Sequence, residues 1–316
     1  MQINLLAVKK RYTKQNKALT TVLYNDYTVV KHSYTICGGL PMKLSEINLR
    51  DPFILPYEGV YYMYGSRCWS GPQLGFDVYT STDLETWSEP KSIFEVTPDF
   101  WGTRDGWAPE VHFYNGKFYL FASFTSDTTC RGTAILISES PEGPFVPHSD
   151  GAVTPKDWEC LDGTLYVDEA GTPYMVFCHE WVQIQNGTVC AVELTQDLKT
   201  PVGDPIELWK AGDAPWVHSV KGDNNFVTDG PFFFKKDGKP AFIWSSFDEN
   251  GYVQALATTE SGTLQGPWSV DHTPILAGHD GGHGMLFTTF DGQRKFICHQ
   301  PNKTPLERPA IYDFEL

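Results

Sequence analysis

The segment RDPFILPYEGVYYMYGS, residues 50–66, contains the pattern that decides the fold. It starts at a polar residue, Asp51, and continues through an apolar run, a turn at Gly59 and a second apolar run. The pattern returns at four more turn glycines, spaced 57, 55, 67 and 54 residues apart: Gly116, Gly171, Gly238 and Gly292. Short aromatic and β-branched runs separated by Gly, Asp and Pro are typical of antiparallel strands.

A second marker indicates the outer turn of the same repeat: STDLETW (81–87), SPEGPF (140–145), TQDLKTPVG (195–203) and SGTLQGPW (261–268). Repeats of about 55 residues predict an array of antiparallel sheets. Arranged radially, such sheets form a β-propeller, in which the innermost strand of each blade lines a central channel.

We therefore expect an all-β, five-bladed β-propeller with four strands in each blade. The predicted blades span residues 45–105, 106–158, 159–213, 224–272 and 279–316. The fifth repeat is short of strands after PAIYDFEL, so the closure of the ring is the least determined part of this prediction.

Composition and charge limit the classes of function. The chain has 316 residues, 41% of them hydrophobic, and a formal net charge of -15. These values suit one large globular body, and no run approaches the 18 apolar residues of a transmembrane helix. The acidic balance argues against nucleic acid and anionic membrane as partners. It fits a neutral ligand, although a solvated acidic surface is the simpler explanation.

The N-terminal residues 1–41 differ from the rest of the chain, because they carry six Lys or Arg and one Asp. We expect them to form a poorly ordered extension, with the propeller domain over residues 42–316, and a natural start at Met42 is an alternative. They lack the apolar core of a signal peptide. Seven scattered cysteines without CxxC spacing are typical of reduced thiols, so we expect a cytoplasmic protein.

Counting back from the turn glycines gives one polar head for each repeat: Asp51, Glu110, Asp162, Asp229 and His283. In a propeller these heads would converge at one mouth of the channel. Hydrolysis of a glycosidic bond needs two carboxyl groups in different protonation states, and a third nearby carboxylate can keep the acid protonated. Asp beside Gly or Pro is also ordinary turn chemistry. Three aspartates in phase nevertheless favour a catalytic site.

Five motifs in combination resemble glycoside hydrolase family 43: RDPF (50–53), WAPEVHF (107–113), LDGTLYVDEAGTPYMVF (161–177), DGPFFF (229–234) and GHGMLF (282–287). The resemblance covers about residues 45–315 and is closest to arabinofuranosidase-like members. It implies a five-bladed propeller that cleaves arabinofuranosides and xylosides with inversion of configuration.

The same resemblance implies a role for each aspartate. Asp51 matches the general base, and Asp162 matches the residue that orients the acid and modulates its pKa. The general acid is usually Glu in a Glu-Gly-Pro motif, and Asp229, which is one methylene shorter, stands at that position. Either the site is re-spaced around Asp229, or Glu180 or Glu159 serves as the acid.

Other residues are candidates for binding. Trp107 and Trp216 are predicted platforms, because an aromatic face packs well on a sugar ring, and Glu110 and Glu180 are predicted substrate contacts. The chemistry needs no cofactor. The resemblance implies that His283 faces a structural calcium ion in the channel through water, but calcium prefers six to eight oxygens, so a channel histidine with water alone is an equal alternative.

The leading functional expectation is a glycosidase that releases terminal α-L-arabinofuranosyl residues from plant-type polysaccharides or oligosaccharides. Its partner is then an arabinose- or xylose-containing carbohydrate. A β-xylosidase on the same scaffold is one alternative, and a carbohydrate-binding propeller that has lost its acid is another. A WD-repeat scaffold is disfavoured, because those blades span about 40–45 residues and carry a Trp-Asp signature that this sequence lacks.

Overall fold

The computed structural model describes residues 40–68 and 74–315. The predicted extension, residues 1–41, lies outside this part of the chain except for its last two residues, so its disorder stays a prediction. Within the described residues, no helix is long and apolar enough to cross a membrane.

Each repeat forms one antiparallel sheet, which we call blades one to five in chain order. Blades one and two comprise β1 (Leu49–Tyr57), β2 (Val60–Arg67), β3 (Gly75–Ser81), β4 (Lys91–Glu95), β5 (Arg104–Tyr114), β6 (Lys117–Thr125), β7 (Gly132–Ser138) and β8 (Val146–Pro147). Blades three to five comprise β9 (Cys160–Val167), β10 (Pro173–His179), β11 (Thr188–Leu194), β12 (Pro201–Lys210), β13 (Asp229–Lys236), β14 (Lys239–Asp248), β15 (Gly251–Thr259), β16 (Trp268–Val270), β17 (Gly282–Thr288), β18 (Arg294–Gln300) and β19 (Arg308–Asp313).

The innermost strands form a closed ring. Strand β1 contacts β5 and β17, while β9 contacts β5 and β13, and β13 contacts β17. The five-bladed β-propeller is therefore confirmed. The four-residue helix α1 (Trp181–Ile184) and two single 3₁₀ turns, Leu44–Glu46 and Ala211–Asp213, are the helical elements of the described residues.

Blade five corrects the prediction of four strands in every blade. Its sheet contains β17, β18 and β19 alone among the described residues. Side chains rather than a shared strand join it to blade one. The Asn48 amide donates to the carbonyls of Pro305 and Glu307, both at 2.9 Å, and Arg50 Nη1 lies 3.0 Å from Glu307 Oε1. We call these contacts the seam.

Local sequence explains the hairpins. In blades one and two, positive φ angles at Glu58 and Gly59, and at Asn115 and Gly116, form two-residue turns whose twist matches the flanking strands. The second marker falls between the third and fourth strands of each four-stranded blade, so its interpretation as the outer turn is confirmed. Fully buried Trp87 and Trp244 belong to the apolar clusters of the blades.

Every innermost strand carries a β-bulge near its start, where two of its residues face one residue of the neighbouring strand. The first residue of each bulge has a positive φ of 47–57°, and these equivalent residues are Asp51, Ala108, Asp162, Gly230 and His283. The prediction that the five polar heads occupy equivalent positions on their strands is therefore wrong in two blades. Glu110 lies two residues after its bulge residue, and Asp229 lies one residue before its own.

The bulge residues are joined by hydrogen bonds between neighbouring blades, and we call this set the bulge ring. The side chains of Ser66, Ser123, Ser245 and His299, which occupy equivalent places on the second strands, accept the N–H groups of Ala108, Asp162, His283 and Asp51, respectively, at 2.7–3.2 Å. Cys178 occupies this place in blade three, and there Asp162 Oδ2 accepts the N–H of Gly230 at 2.9 Å. The ring thus fixes the backbone of all five innermost strands.

Candidate active site

One cavity, of about 890 Å³, opens above the bulge ring. The predicted residues that line it are Asp51, Trp107, Asp162, Glu180, Asp229 and His283. Arg50, Ser66 and the segments 218–221 and 247–251 complete much of its wall. The predicted convergence of the three aspartates at one mouth of the channel is therefore observed.

Asp51 is surrounded by groups that stabilise a negative charge. Its Oδ2 accepts a hydrogen bond from Ser66 Oγ at 2.6 Å, and its Oδ1 lies 3.2 Å from His283 Nδ1 and 3.4 Å from His299 Nδ1. Burial works to raise the pKa of Asp51, but His283, Arg50, His299 and the Ser66 hydrogen bond outweigh it and lower this pKa to about 2. Asp51 is therefore ionised across the neutral range.

Asp162 lies across the same imidazole from Asp51. His283 Nδ1 is 3.8 Å from Asp162 Oδ2, so one ring nitrogen lies within 4 Å of both carboxyl groups. Burial and the charge of Asp51 raise the pKa of Asp162. A side chain at position 230 would collide with the His283 ring, since a Cβ there would lie 2.6 Å from it, so the bulge after Asp229 requires glycine.

Asp229 has a different environment. Its Oδ2 accepts one hydrogen bond, from the Tyr252 hydroxyl at 2.9 Å. Although the side chain keeps some exposure to the cavity, it lies deep among protein atoms, and burial followed by the charge of Asp162 raises its pKa to about 7. Asp162 and Asp229 share a pocket, and their repulsion retains a proton on this pair near neutral pH. The cavity therefore holds an ionised and a protonated carboxyl group together.

A cluster of charged side chains centred on Arg131 supports the lining residues Trp107 and Glu180. The guanidinium of Arg131 lies 4.2 Å from the centroid of the Trp107 ring and pairs with Glu180 at 2.5 Å and with Asp105 at 2.9 Å. Glu180 lines the cavity, and burial raises its pKa although Arg131 opposes this shift; because the guanidinium occupies its Oε1, Asp229 remains the better candidate for the acid. Glu159 does not line the cavity, and its carboxylate accepts the backbone N–H of Arg131.

Two predicted substrate contacts lie elsewhere. Trp216 is partly buried, packs at a tilted angle against Trp244 and donates its indole N–H to the carbonyl of Asp271 at 2.9 Å, and it does not line the cavity. Glu110 follows its bulge and is buried, with its carboxylate 2.9 Å from His112 Nε2. Neither position fits the predicted contact with a sugar in this cavity.

Several residues of the site were not predicted as site residues, among them Arg131, Tyr252 and His299, which contact predicted ones. In an antiparallel sheet the third strand starts at the same end as the first, with the second strand between them. Arg131 immediately precedes β7, and Tyr252 is the second residue of β15. A polar residue at the start of a third strand was therefore an available signal. His299 faces its bulge in the place that serine takes in three other blades.

The calcium expectation depends on His283, whose Nδ1 is already engaged by two carboxyl groups. No group of three His, Cys, Asp or Glu side chains in residues 40–68 and 74–315 is arranged to hold a metal ion. These side chains do not fit a directly ligated calcium ion, which takes six to eight oxygens. A water-mediated ion stays a prediction.

Comparisons with known proteins agree with this geometry. Residues 44–313 match the model of glycosyl hydrolases family 43. A solved endo-arabinase from Bacteroides thetaiotaomicron is 39% identical, with a TM-score of 0.82 over 88% of this chain and 98% of that one. The β-D-galactofuranosidase xynD of Aspergillus niger is 27% identical over 79% of this chain and 72% of its own length. The extracellular exo-α-(1→5)-L-arabinofuranosidase ArbA of Cellvibrio japonicus is 24% identical over 67% of this chain and 62% of its own length.

Proposed function

The chain belongs to glycosyl hydrolases family 43, and from this premise we propose that it hydrolyses α-L-arabinofuranosidic bonds with inversion at the anomeric carbon. Asp51 is the general base, Asp229 is the general acid, and Asp162 orients Asp229 and raises its pKa. The observation that carries the proposal is that Asp51, Asp162 and Asp229 line one cavity, with Asp51 held by Ser66 and His283 and Asp229 held by the Tyr252 hydroxyl alone; the opposite shifts of the Asp51 and Asp229 pKa values follow from these partners. Glycosidic hydrolysis requires carboxyl groups in those two states.

In the proposed reaction, Asp51 accepts a proton from water as the water oxygen bonds to the anomeric carbon. The bond from that carbon to the leaving oxygen breaks, and the leaving oxygen takes the proton of Asp229. Asp51 ends protonated and Asp229 ends ionised, and proton exchange with solvent restores both. Attack by water on the face opposite the leaving group inverts the configuration.

Asp162 contributes in two ways. Its carboxylate accepts the N–H of Gly230, and this hydrogen bond fixes the backbone next to the acid. Repulsion between the carboxyl groups of Asp162 and Asp229 also favours the protonated form of Asp229. Both effects keep a proton available for the leaving oxygen.

The wall of the cavity suits a neutral sugar. The Trp107 ring can pack on a furanose face, while Glu180 can accept hydrogen bonds from sugar hydroxyls. Arg131 contacts both side chains and holds them in place. Binding a neutral ligand also agrees with the net charge of -15, which would repel an anionic one.

We propose release of terminal arabinofuranosyl residues, as ArbA does by its name. Internal cleavage of (1→5)-arabinan is the second candidate, because the 39% identical Bacteroides protein is an endo-arabinase. Cleavage of β-xylosides is a third, since a relative from Humicola insolens, 24% identical over 44% of this chain, is named a xylosidase/arabinosidase.

A direct test compares nitrophenyl α-L-arabinofuranoside, nitrophenyl β-D-xyloside and linear (1→5)-arabinan. Free arabinose as the sole early product supports terminal release, whereas arabino-oligosaccharides support internal cleavage. Hydrolysis of the xyloside alone would overturn the arabinoside proposal. If no substrate is cleaved but arabino-oligosaccharides bind, the chain is a carbohydrate-binding propeller. Proton NMR of the first product anomer decides between inversion and retention.

A further inference from the structure

Tyr252 is a buried tyrosine at the start of β15, and its hydroxyl is the hydrogen-bond donor to Asp229. The O–H···Oδ2 distance between oxygen atoms is 2.9 Å, and 1% of the residue is exposed. Its backbone N–H donates to Asp280 Oδ1 at 3.0 Å. Its ring stacks on His299 at 5.7 Å with an angle of 22°. The hydroxyl is thus held in place from two sides.

This contact distinguishes the two oxygens of Asp229. Burial and the charges of Asp229, Asp51 and Asp162 raise the pKa of Tyr252 well above its usual value, so the hydroxyl keeps its proton throughout the working range. An oxygen that accepts this proton acts as the carbonyl oxygen of a neutral carboxylic acid. The acidic proton of Asp229 then belongs on Oδ1.

We propose that Tyr252 is a positioning residue that holds Asp229 Oδ2 as an acceptor and thereby leaves Oδ1 to deliver the catalytic proton. The inference rests on the proposed role of Asp229 as the general acid. It also accounts for the use of aspartate at this position, because a short side chain with two rotatable bonds needs only one fixed oxygen to define the other.

Several charged groups face this pair, and their effects on pH dependence have to be counted. Asp162, His283 and Glu180 act on the pKa of Asp229. Asp51, Asp162 and Arg50 act on Tyr252. None of them is removed by Tyr252→Phe, which deletes one hydroxyl and keeps the ring that stacks on His299.

The experiment uses the full chain labelled with ¹³C at the aspartate carboxyl groups. The resonance of Asp229 is identified by its loss in Asp229→Asn. Because the Tyr252 hydrogen bond favours the ionised form, we expect the titration midpoint of Asp229 to rise in Tyr252→Phe. With an arabinoside of a poor leaving group, turnover should fall at least about tenfold, since misplaced proton donors lose this much or more. An activated aryl arabinoside should lose less.

Tyr64→Phe is the matched control. Tyr64 is fully buried in blade one and does not line the cavity, and its hydroxyl donates to the carbonyl of Pro141 at 2.7 Å, so the control removes the same atoms outside the site. The control should leave the titration of Asp229 unchanged.

An Asp229 midpoint that stays unchanged or falls in Tyr252→Phe would overturn the role of Tyr252, and so would equal losses on both arabinosides. Partial unfolding would expose Asp229 and lower its midpoint, so it cannot imitate the expected result. If the wild type cleaves no glycoside, the proposed function fails, and with it the catalytic meaning of the contact. The NMR titration still reports separately whether Tyr252 fixes the protonation of Asp229.

Discussion

Asp51 and Asp229 lie in the same cavity, and both are removed from bulk water, yet their pKa values move in opposite directions. Burial acts alike on both and favours the neutral acid. The His283 imidazole, a guanidinium and a serine hydroxyl surround the carboxylate of Asp51, whereas the hydrogen-bond partner of Asp229 is one tyrosine hydroxyl. The comparison teaches that the neighbours of a buried carboxyl group, and not its burial, decide which of the two roles it can take.

Asp51 and Asp229 also differ in their backbone positions. Asp51 is the first residue of its bulge, with a φ of 51°, while Asp229 precedes the bulge residue Gly230. The N–H of Asp51 is bound within the bulge ring by His299, which burial keeps neutral by lowering its pKa to about 4. The proposed base and the proposed acid therefore lie at different positions of their strands, an arrangement that a perfect repeat of heads would not give.

The largest effect is expected from Asp51→Asn. The amide keeps the size of the side chain but cannot accept a proton from water, so turnover should fall by about 10²–10⁴ on every substrate. Binding of arabino-oligosaccharides, measured by calorimetry, should be largely kept. As a control, Asp168→Asn alters a hairpin aspartate that accepts the N–H groups of Ala170 and Thr172, and its turnover should match the wild type. Retained turnover in Asp51→Asn would remove Asp51 from the mechanism.

Asp229→Ala should give a loss that depends on the leaving group. A poor leaving group needs protonation, so its turnover should fall by about 10²–10⁴, while an activated phenol departs with little help and should lose far less. The measurement is the rate on two aryl arabinofuranosides of different phenol pKa. Equal losses on both would mean that Asp229 has a structural role, and Glu180 would then be the next candidate acid.

The opposite pKa shifts of Asp229 and Asp51 should appear as a basic and an acidic limb in the pH dependence of kcat/KM. Asp229 must be protonated, so kcat/KM should decline as the pH rises through about 7, and Asp51 must be ionised, so activity should fall only as the pH approaches about 2. The charge of His283 lowers both pKa values. His283→Gln should therefore move both limbs to higher pH. If only one limb moves, His283 does not affect the pKa of the carboxyl group that gives the other limb.

Ser66→Ala should give the smallest effect. The Ser66 hydroxyl donates to Asp51 and accepts the N–H of Ala108, and its loss leaves a buried N–H unpaired at a cost of about 1–3 kcal/mol in the free energy of unfolding. Urea denaturation measures this cost. Ser88→Ala, at a partly exposed outer turn, should cost less. Because the Ser66 hydrogen bond lowers the pKa of Asp51, its loss should move the acidic limb of the pH profile to higher pH and leave the basic limb where it is. A shift of the basic limb would contradict this division.

The sequence predicted the propeller because its turn glycines recur in every blade, and tight hairpins can be recognised locally. It also placed Asp51, Asp162 and His283 correctly as equivalent residues. It misplaced the phase of Asp229 and Glu110, since counting back from a glycine cannot show which residue of a strand forms the bulge.

The remaining parts of the site depend on contacts between blades or between third and first strands. Arg131 and Tyr252 do not line the cavity themselves but contact the lining residues Glu180 and Asp229, and no repeat of residue type marks them in the sequence. Trp216 looked like a loop aromatic, but the apolar face of Trp244 made burial the more stable arrangement. An aromatic residue next to a loop can either bind a ligand or pack in the core, and tertiary packing decides between the two.

At the seam, neighbouring residues serve both the closure of the ring and the cavity. Its contacts include Arg50 with Glu307, and the neighbouring link of the bulge ring joins Asp51 to His299. Asp51 thus joins the first blade to the last through its backbone N–H and lines the cavity with its carboxylate. Mutations that adapted the base to another sugar would also alter ring closure. The first blade is therefore expected to diverge more slowly than blades whose inner strands carry only one of these duties.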